Sequence, residues 1–265
     1  MARGSKRSSD GKQLTFSFRT WGGARKGAGR PGQGKATVAH TVRPVHYRHQ
    51  PLHLTLRVVA GVPNLRKKVV FQSIRRALAL ANTKAKHREH FRVTHFSVQS
   101  NHVHLLVEAT SRLFLSRGMQ GLAIRIARRV NAALSRRGRV FAERYHAHPL
   151  RTPREVRHAL AYVLLNERRH LAADRGLSLP PWYFDPCSSA LEFDGWQALH
   201  GLAPPPPPQR EVTAPPRTYL LTHLWRRHGL IAPDEVPGVR WARAQSRRRG
   251  LASRVSRPAQ RSKAS

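Results

Sequence analysis

Three observations in this sequence predict an α+β fold in which helices back an antiparallel sheet. Short runs alternate apolar and polar residues with the period of two that half-buried strands need. Longer runs repeat apolar residues at spacings of three and four, as amphipathic helices do. The two kinds alternate along the chain as strand, helix, strand, strand, helix, strand and a further helix.

The first strand is His53-Leu-Thr-Leu-Arg-Val-Val59, with Leu54, Leu56 and Val58 on one face and His53, Thr55 and Arg57 on the other. Gly61, Pro63 and Asn64 make a turn, and Val70, Ile74, Ala77 and Ala81 set a helix over about 65 to 86. Phe91 to Gln99 reads as the second strand, with Phe96 and Val98 sharing a face. Ser100-Asn101 connects it to a third strand over His102 to Ala109. Thr110 or Ser111 then caps a long helix to about 137, carried by Leu115, Met119, Leu122, Ile126, Val130 and Ala133 and ended by Gly138. Arg139 to Leu150 is the fourth strand. Thr152-Pro153-Arg154-Glu155 is a capping box with proline at the first helical position, and it opens a helix to about 173. The first six elements make a ferredoxin-like βαββαβ plan, with two helices on one face of the sheet and the other face open.

Charge narrows the partners. In 265 residues there are 49 Lys and Arg against 13 Asp and Glu, a formal net charge of +36. Such a surface attracts polyanions, and nucleic acid is the first candidate. An anionic membrane surface is the weaker competitor, because no lipid-insertion segment accompanies the charge; no apolar run approaches the ~18 residues of a spanning helix. Cys187 is the single cysteine, which excludes an intramolecular disulfide and a Cys-x-x-Cys metal site. A basic start without an apolar stretch is no secretory signal, so a cytoplasmic, nucleoid-associated protein is expected.

The stretch Ser100-Asn-His-Val-His-Leu-Leu-Val-Glu108 carries the chemistry. His102 and His104 share one strand face, while Val103, Leu105 and Val107 face the core. Two imidazoles side by side on a rigid strand form a two-ligand metal platform. On the last helix Tyr162 and Asn166 stand one turn apart, off the Leu160 and Leu164 stripe. If that surface meets the open sheet face, His102, His104 and Asn166 can hold one divalent ion beside Tyr162. The ion would polarise a phosphodiester for attack by the phenolate. The plainer alternatives are two ordinary strand histidines and a tyrosine that merely packs. Tyr145 rivals Tyr162 as nucleophile, and Glu108 is a second-sphere partner, a surface residue or a gate. His146 and His148 repeat the His-x-His spacing without a tyrosine helix beside them.

Asn101-His-Val-His-Leu-Leu-Val107 resembles the HUH signature of single-tyrosine transposases. Tyr162-Val-Leu-Leu-Asn166 is similar to the tyrosine helix of the insertion-sequence-200-like and REP-associated tyrosine transposases. The resemblance covers about 51 to 173. It implies a domain that binds single-stranded, hairpin-forming DNA, with Tyr162 forming a 5′-phosphotyrosine link and freeing a 3′-hydroxyl. It further implies Mg2+ or Mn2+ held by His102, His104 and Asn166, the last standing where many relatives have glutamine. A homodimer is a known arrangement in such enzymes. A phosphotyrosine conserves the energy of the bond it replaces, which agrees with the absence of a G-x-x-x-x-G-K-[ST] loop. The competing functions are a domesticated DNA-hairpin binder without transposition, and a metallohydrolase acting on a small substrate.

The rest of the chain frames this domain. Residues 1–50 form a basic, Gly-rich tail, disordered by composition, in which Arg25, Lys26 and Arg30 are candidate phosphate contacts and Gly29-Arg-Pro31 resembles an AT-hook core. Arg57 on the histidine face and Arg125, Arg128 and Arg129 on the long helix complete the expected DNA contacts. Residues 174–203 are aromatic and turn-rich and are expected to pack on the core. A stiff proline-rich linker follows over 204–217. Residues 218–265 hold a short helix and a second basic tail.

Overall fold

The computed structural model describes residues 45–83, 89–181, 183–198 and 211–238. All of them fall within one of the two units into which the chain divides, Thr41–Ser265. Arg25, Lys26, Arg30, the AT-hook-like tripeptide, the proline run and the basic C-terminus lie outside the described residues.

Four strands, β1 (Leu52–Arg57), β2 (Phe91–Val98), β3 (His102–Ala109) and β4 (His146–Pro149), form one sheet in the order β2-β3-β1-β4. Every pairing is antiparallel. This is the ferredoxin-like arrangement, with the first and third strands central. Helices α1 (Lys68–Thr83) and α2 (Arg112–Ala133) back one face. Leu54, Leu56, Phe96, Val98, Val103 and Leu105 meet Ile74, Leu78, Met119, Leu122 and Ile126 there in one core. The side-chain period of two therefore sends Thr55, Arg57, His102 and His104 to the opposite face.

Register fixes who stands beside whom on that face. Thr55 pairs with His104 and Arg57 with His102. On the other side of β1, Thr55 pairs with His146 and His53 with His148. One bulge interrupts β2–β3 between Val93 and His95, where Thr94 Oγ1 donates to Leu106 O. The hairpin of Ser100 and Asn101 is locked from outside, because their carbonyls accept from Leu65 N and Val58 N.

Three expectations need correction. The fourth strand is short: from Thr55 to Val58 β1 advances three residues, while the partner chain runs five, from His146 back to Phe141. The surplus bulges out at 143–145, and the Arg139 guanidinium braces the bend on the carbonyls of Phe141 and Ala142. The last helix is two helices, α3 (Pro153–Leu164) and α4 (Asn166–Arg175), broken at Leu165 with φ −109 and ψ 22. No proline or glycine marks the break. It follows from side chains that tie α4 elsewhere: Arg168 donates to the carbonyls of Leu179 and Pro180, and Glu167 pairs with Arg66. Finally, the second sheet face is largely covered. Helix α3 crosses it, and Leu106, Leu160, Val163, Phe193, Trp196, Trp225 and Ile231 form a second core.

The capping box at Thr152 forms as the sequence predicts, with Glu155 N donating to Thr152 Oγ1 and Glu155 Oε2 accepting from Thr152 N. Ser111, rather than Thr110, caps α2. Among the described residues no helix is long and apolar enough to cross a membrane.

Candidate active site

The bare end of the second sheet face, beside the start of β3, holds a cavity of about 420 Å3. Arg57, His102, His104, Tyr162 and His170 line it, together with Glu143 and Arg144 from the bulge before β4. Strand pairing places the histidines and Arg57, and α3 lays Tyr162 across them. The Tyr162 ring stands edge-on to His104 with centroids 5.1 Å apart, and edge-on to His53 at 5.7 Å. Arg169 lies over the Tyr162 ring, 5.4 Å from its centroid.

The two strand histidines are each fixed at one nitrogen. His102 Nδ1 lies 2.7 Å from Asn101 Oδ1, and only an Nδ1–H on the ring suits that acceptor. His104 Nδ1 lies 3.2 Å from both Thr55 Oγ1 and His53 Nε2. With both Nδ1 atoms protonated and donating, both Nε2 atoms present lone pairs, and these face each other at 2.9 Å. The same 2.9 Å suits a hydrogen bond between the rings when one Nε2 carries the proton, and two lone pairs when a cation stands before them. Nitrogens ~2.1 Å from one octahedral ion, at right angles, stand ~3.0 Å apart, so the pair fits a divalent ion without rearrangement. Outer contacts of the Thr55 and Asn101 kind orient metal-bound imidazoles.

Electrostatics keep these rings neutral. Burial, then the charges of His170 and Arg57, lowers His102 to about 4. Burial, then His53 and His102, lowers His104 to about 2. His53 falls to about 4, by burial first and then by His148 and His146. Neutral imidazoles in a cationic cavity are ready to coordinate and poor at holding protons.

Asn166 opens α4 and is fully buried; neither its amide oxygen nor its amide nitrogen has a hydrogen-bond partner among the described residues. An orphaned buried amide is rare and asks for an unseen partner, and an ion is one. The break at Leu165 means that the projection from Tyr162 to Asn166 along one helix does not hold, and Asn166 does not line the cavity. His170, one turn further on, does. Even so, among the described residues no three His, Cys, Asp or Glu side chains are grouped to hold an ion. His170 instead has Asp174 Oδ2 3.4 Å from its Nδ1.

The remaining sequence candidates are dispersed. Arg125, Arg128 and Arg129 lie on α2, the helix layer on the far side of the sheet from the cavity. Tyr145 packs with the first core. Glu108, at the other end of β3, accepts from Arg217 N, Thr218 N and Thr218 Oγ1 and so anchors the C-terminal segment. His146 lines the cavity, whereas His148 turns to a neighbouring one. Sequence reasoning passed over Thr55, Arg144, Arg169 and His170. Strand alternation signalled Thr55; the others arrive through the bulge and the helix break, which have no local signature.

Comparison with known proteins supplies the context. The family model described as "Transposase IS200 like" matches residues 39–164. No curated protein matches this chain. A solved structure of a REP-associated tyrosine transposase bound to a REP hairpin aligns at TM-score 0.41 and 16% identity, covering 56% of this chain and 81% of that one.

Proposed function

Residues 39–164 match the IS200-like transposase family, and from that likeness we propose that the chain cuts and rejoins single-stranded, hairpin-forming DNA through Tyr162. The observation that carries the reading is the approach of Tyr162 to a histidine pair whose Nε2 atoms converge at 2.9 Å. His102 and His104 would hold Mg2+ or Mn2+; Asn166, the third ligand the resemblance implies, lies outside the cavity lining, and its unpartnered amide would have to turn towards them to join. Bound there, the ion supplies Lewis-acid polarisation of a phosphodiester.

The protein's own residues do the rest. Arg57 and Arg144 line the cavity and receive the phosphate charge. Arg169 lies over the phenol ring, where a guanidinium favours a developing phenolate. The Tyr162 oxygen attacks phosphorus, an O–P bond forms, and the bond to the 3′ oxygen breaks. The 5′ phosphate stays on tyrosine, and the released 3′-hydroxyl takes a proton. Attack by a 3′-hydroxyl on the phosphotyrosine reverses the step, so joining needs no nucleotide fuel.

His104, His102 and Tyr162 come from one chain, which supports cleavage in cis.

The test is adduct formation. The protein incubated with hairpin-bearing oligonucleotides and Mn2+ should yield a denaturation-resistant protein–DNA species. Tyr162→Phe should abolish it and leave DNA affinity within about twofold. Adducts at the wild-type level in Tyr162→Phe would move the nucleophile elsewhere. DNA shifts without any wild-type adduct would leave a binder only.

A further inference from the structure

At the opposite end of β3 from His102 lies a cavity of about 280 Å3, near the lower limit of ligand pockets at ~300 Å3. Three stacked ring pairs converge on it. Tyr47 and His49 lie nearly parallel, 5.7 Å between centroids and 3° between planes. His90 and Phe114 are 4.1 Å and 12° apart, and Tyr219 and His223 are 5.2 Å and 26° apart. One ring of each pair, His49, His90 and Tyr219, lines the cavity, and Arg48, Arg92 and Arg217 stand among them.

The three pairs come from distant parts of the chain, so the convergence is tertiary rather than a local accident of sequence. It is also costly, since Tyr47 and Tyr219 are each 60% exposed and cover no core. The acidic group at the floor is already used. Glu108 accepts from the backbone of Arg217 and Thr218 and faces Arg92 Nε at 3.6 Å, and in doing so it holds Tyr219 at the rim. Glu89 is the one other carboxylate that lines the cavity.

We propose that this groove is a second DNA subsite, which stacks an unpaired nucleobase between its rings while the exposed Arg48 and Arg217 take the adjoining phosphates. Planar faces interleaved with guanidinium groups suit single-stranded nucleic acid and do not read its sequence. From His102 to Ala109 is seven strand steps of ~3.4 Å, or about 24 Å, so the base held here lies well outside the bond that is cut. The subsite thus holds the flanking strand, or the foot of a hairpin, while the cavity at His102 takes the reacting phosphate. It rests on DNA being the substrate.

Fluorescence anisotropy with two single-stranded oligonucleotides tests it. One spans only the cleavage position; the other extends about ten nucleotides to each side. Wild type should bind the long oligonucleotide more tightly. His49→Ala and Tyr219→Ala should each weaken that binding about five- to 150-fold, the range for loss of one stacked base. Tyr219→Trp should restore it, and all should match wild type in adduct formation on saturating short oligonucleotide. Undiminished affinity of both alanine variants for the long oligonucleotide would overturn the subsite. Failure of the wild type to form any adduct would sink strand transfer instead; the groove would still be judged by affinity alone.

Discussion

His102 and His104 are each tied at Nδ1, and their Nε2 atoms meet at 2.9 Å, which is what makes the pair a candidate site. If an ion binds there, it must raise stability, since ligand at a hundred times its dissociation constant adds ~2.7 kcal/mol. Thermal denaturation with and without Mn2+ should show an upward shift in wild type and none in His102→Ala; an equal shift in both would place the ion elsewhere. Thr55→Val removes the hydroxyl beside His104 Nδ1 and should weaken Mn2+ binding about tenfold without touching a ligand. Protons compete for the same nitrogens. His53 and His102 are held at about 4 in the folded chain, against 6.5 when free. The unfolded chain therefore binds more protons between these values. Stability from this cluster is whole above about pH 6.5 and drains away as pH falls towards about 4. Metal-free urea midpoints should drop from pH 7 to pH 5; a flat profile across that window would mean the rings are not neutral in the fold.

At the scale of elements, the first three strands and the start of the capped helix were legible because their signals are local. Leu54, Leu56, Val103 and Leu105 alternate in sequence as they do in space. Thr152-Pro-Arg-Glu155 caps in sequence as it does in space. The pairing of His102 and His104 on one face followed from the same period. The break at Leu165 was not legible, since it is made by partners up to 101 residues away. Arg66 donates to both oxygens of Asp185 and to Glu167 Oε1, and Tyr183 donates to Glu167 Oε2. Burial opposes the Arg66 charge, but the hydrogen bonds and charge of Asp185 outweigh it and raise its proton affinity. Removing one member of such a network leaves buried charge uncompensated, at ~3 kcal/mol. Arg66→Ala should cost about that much by urea denaturation. It should also release α4, with faster amide exchange at 166–175 than at 153–164. Equal exchange in both segments would show that α4 is held by something else. The cover on the second face escaped the sequence for a like reason: Phe193, Trp196 and Trp225 have no periodicity that says which surface they meet.

Across the whole molecule, charge and topology divide the labour. A net charge of +36 makes DNA affinity steeply salt-dependent, with log affinity falling by ~0.7 per phosphate neutralised on a single strand. The sheet separates Arg57, beside the candidate site, from Arg125, Arg128 and Arg129 on α2. On a minimal oligonucleotide Arg57→Ala should flatten the salt slope by about 0.7, and Arg128→Ala should leave it unchanged. An equal loss at both would mean that the strand wraps to the α2 side. The C-terminal segment closes most of the second sheet face and leaves bare the end where His102, His104 and Tyr162 meet. The proposed reaction needs the phosphate to enter at that end. Peptide mapping of the trapped protein–DNA adduct by mass spectrometry tests this most directly. The nucleotide should be found on the peptide that contains Tyr162, as a 5′ phosphate ester. Attachment at Tyr145, or at any residue outside the cavity, would contradict the account.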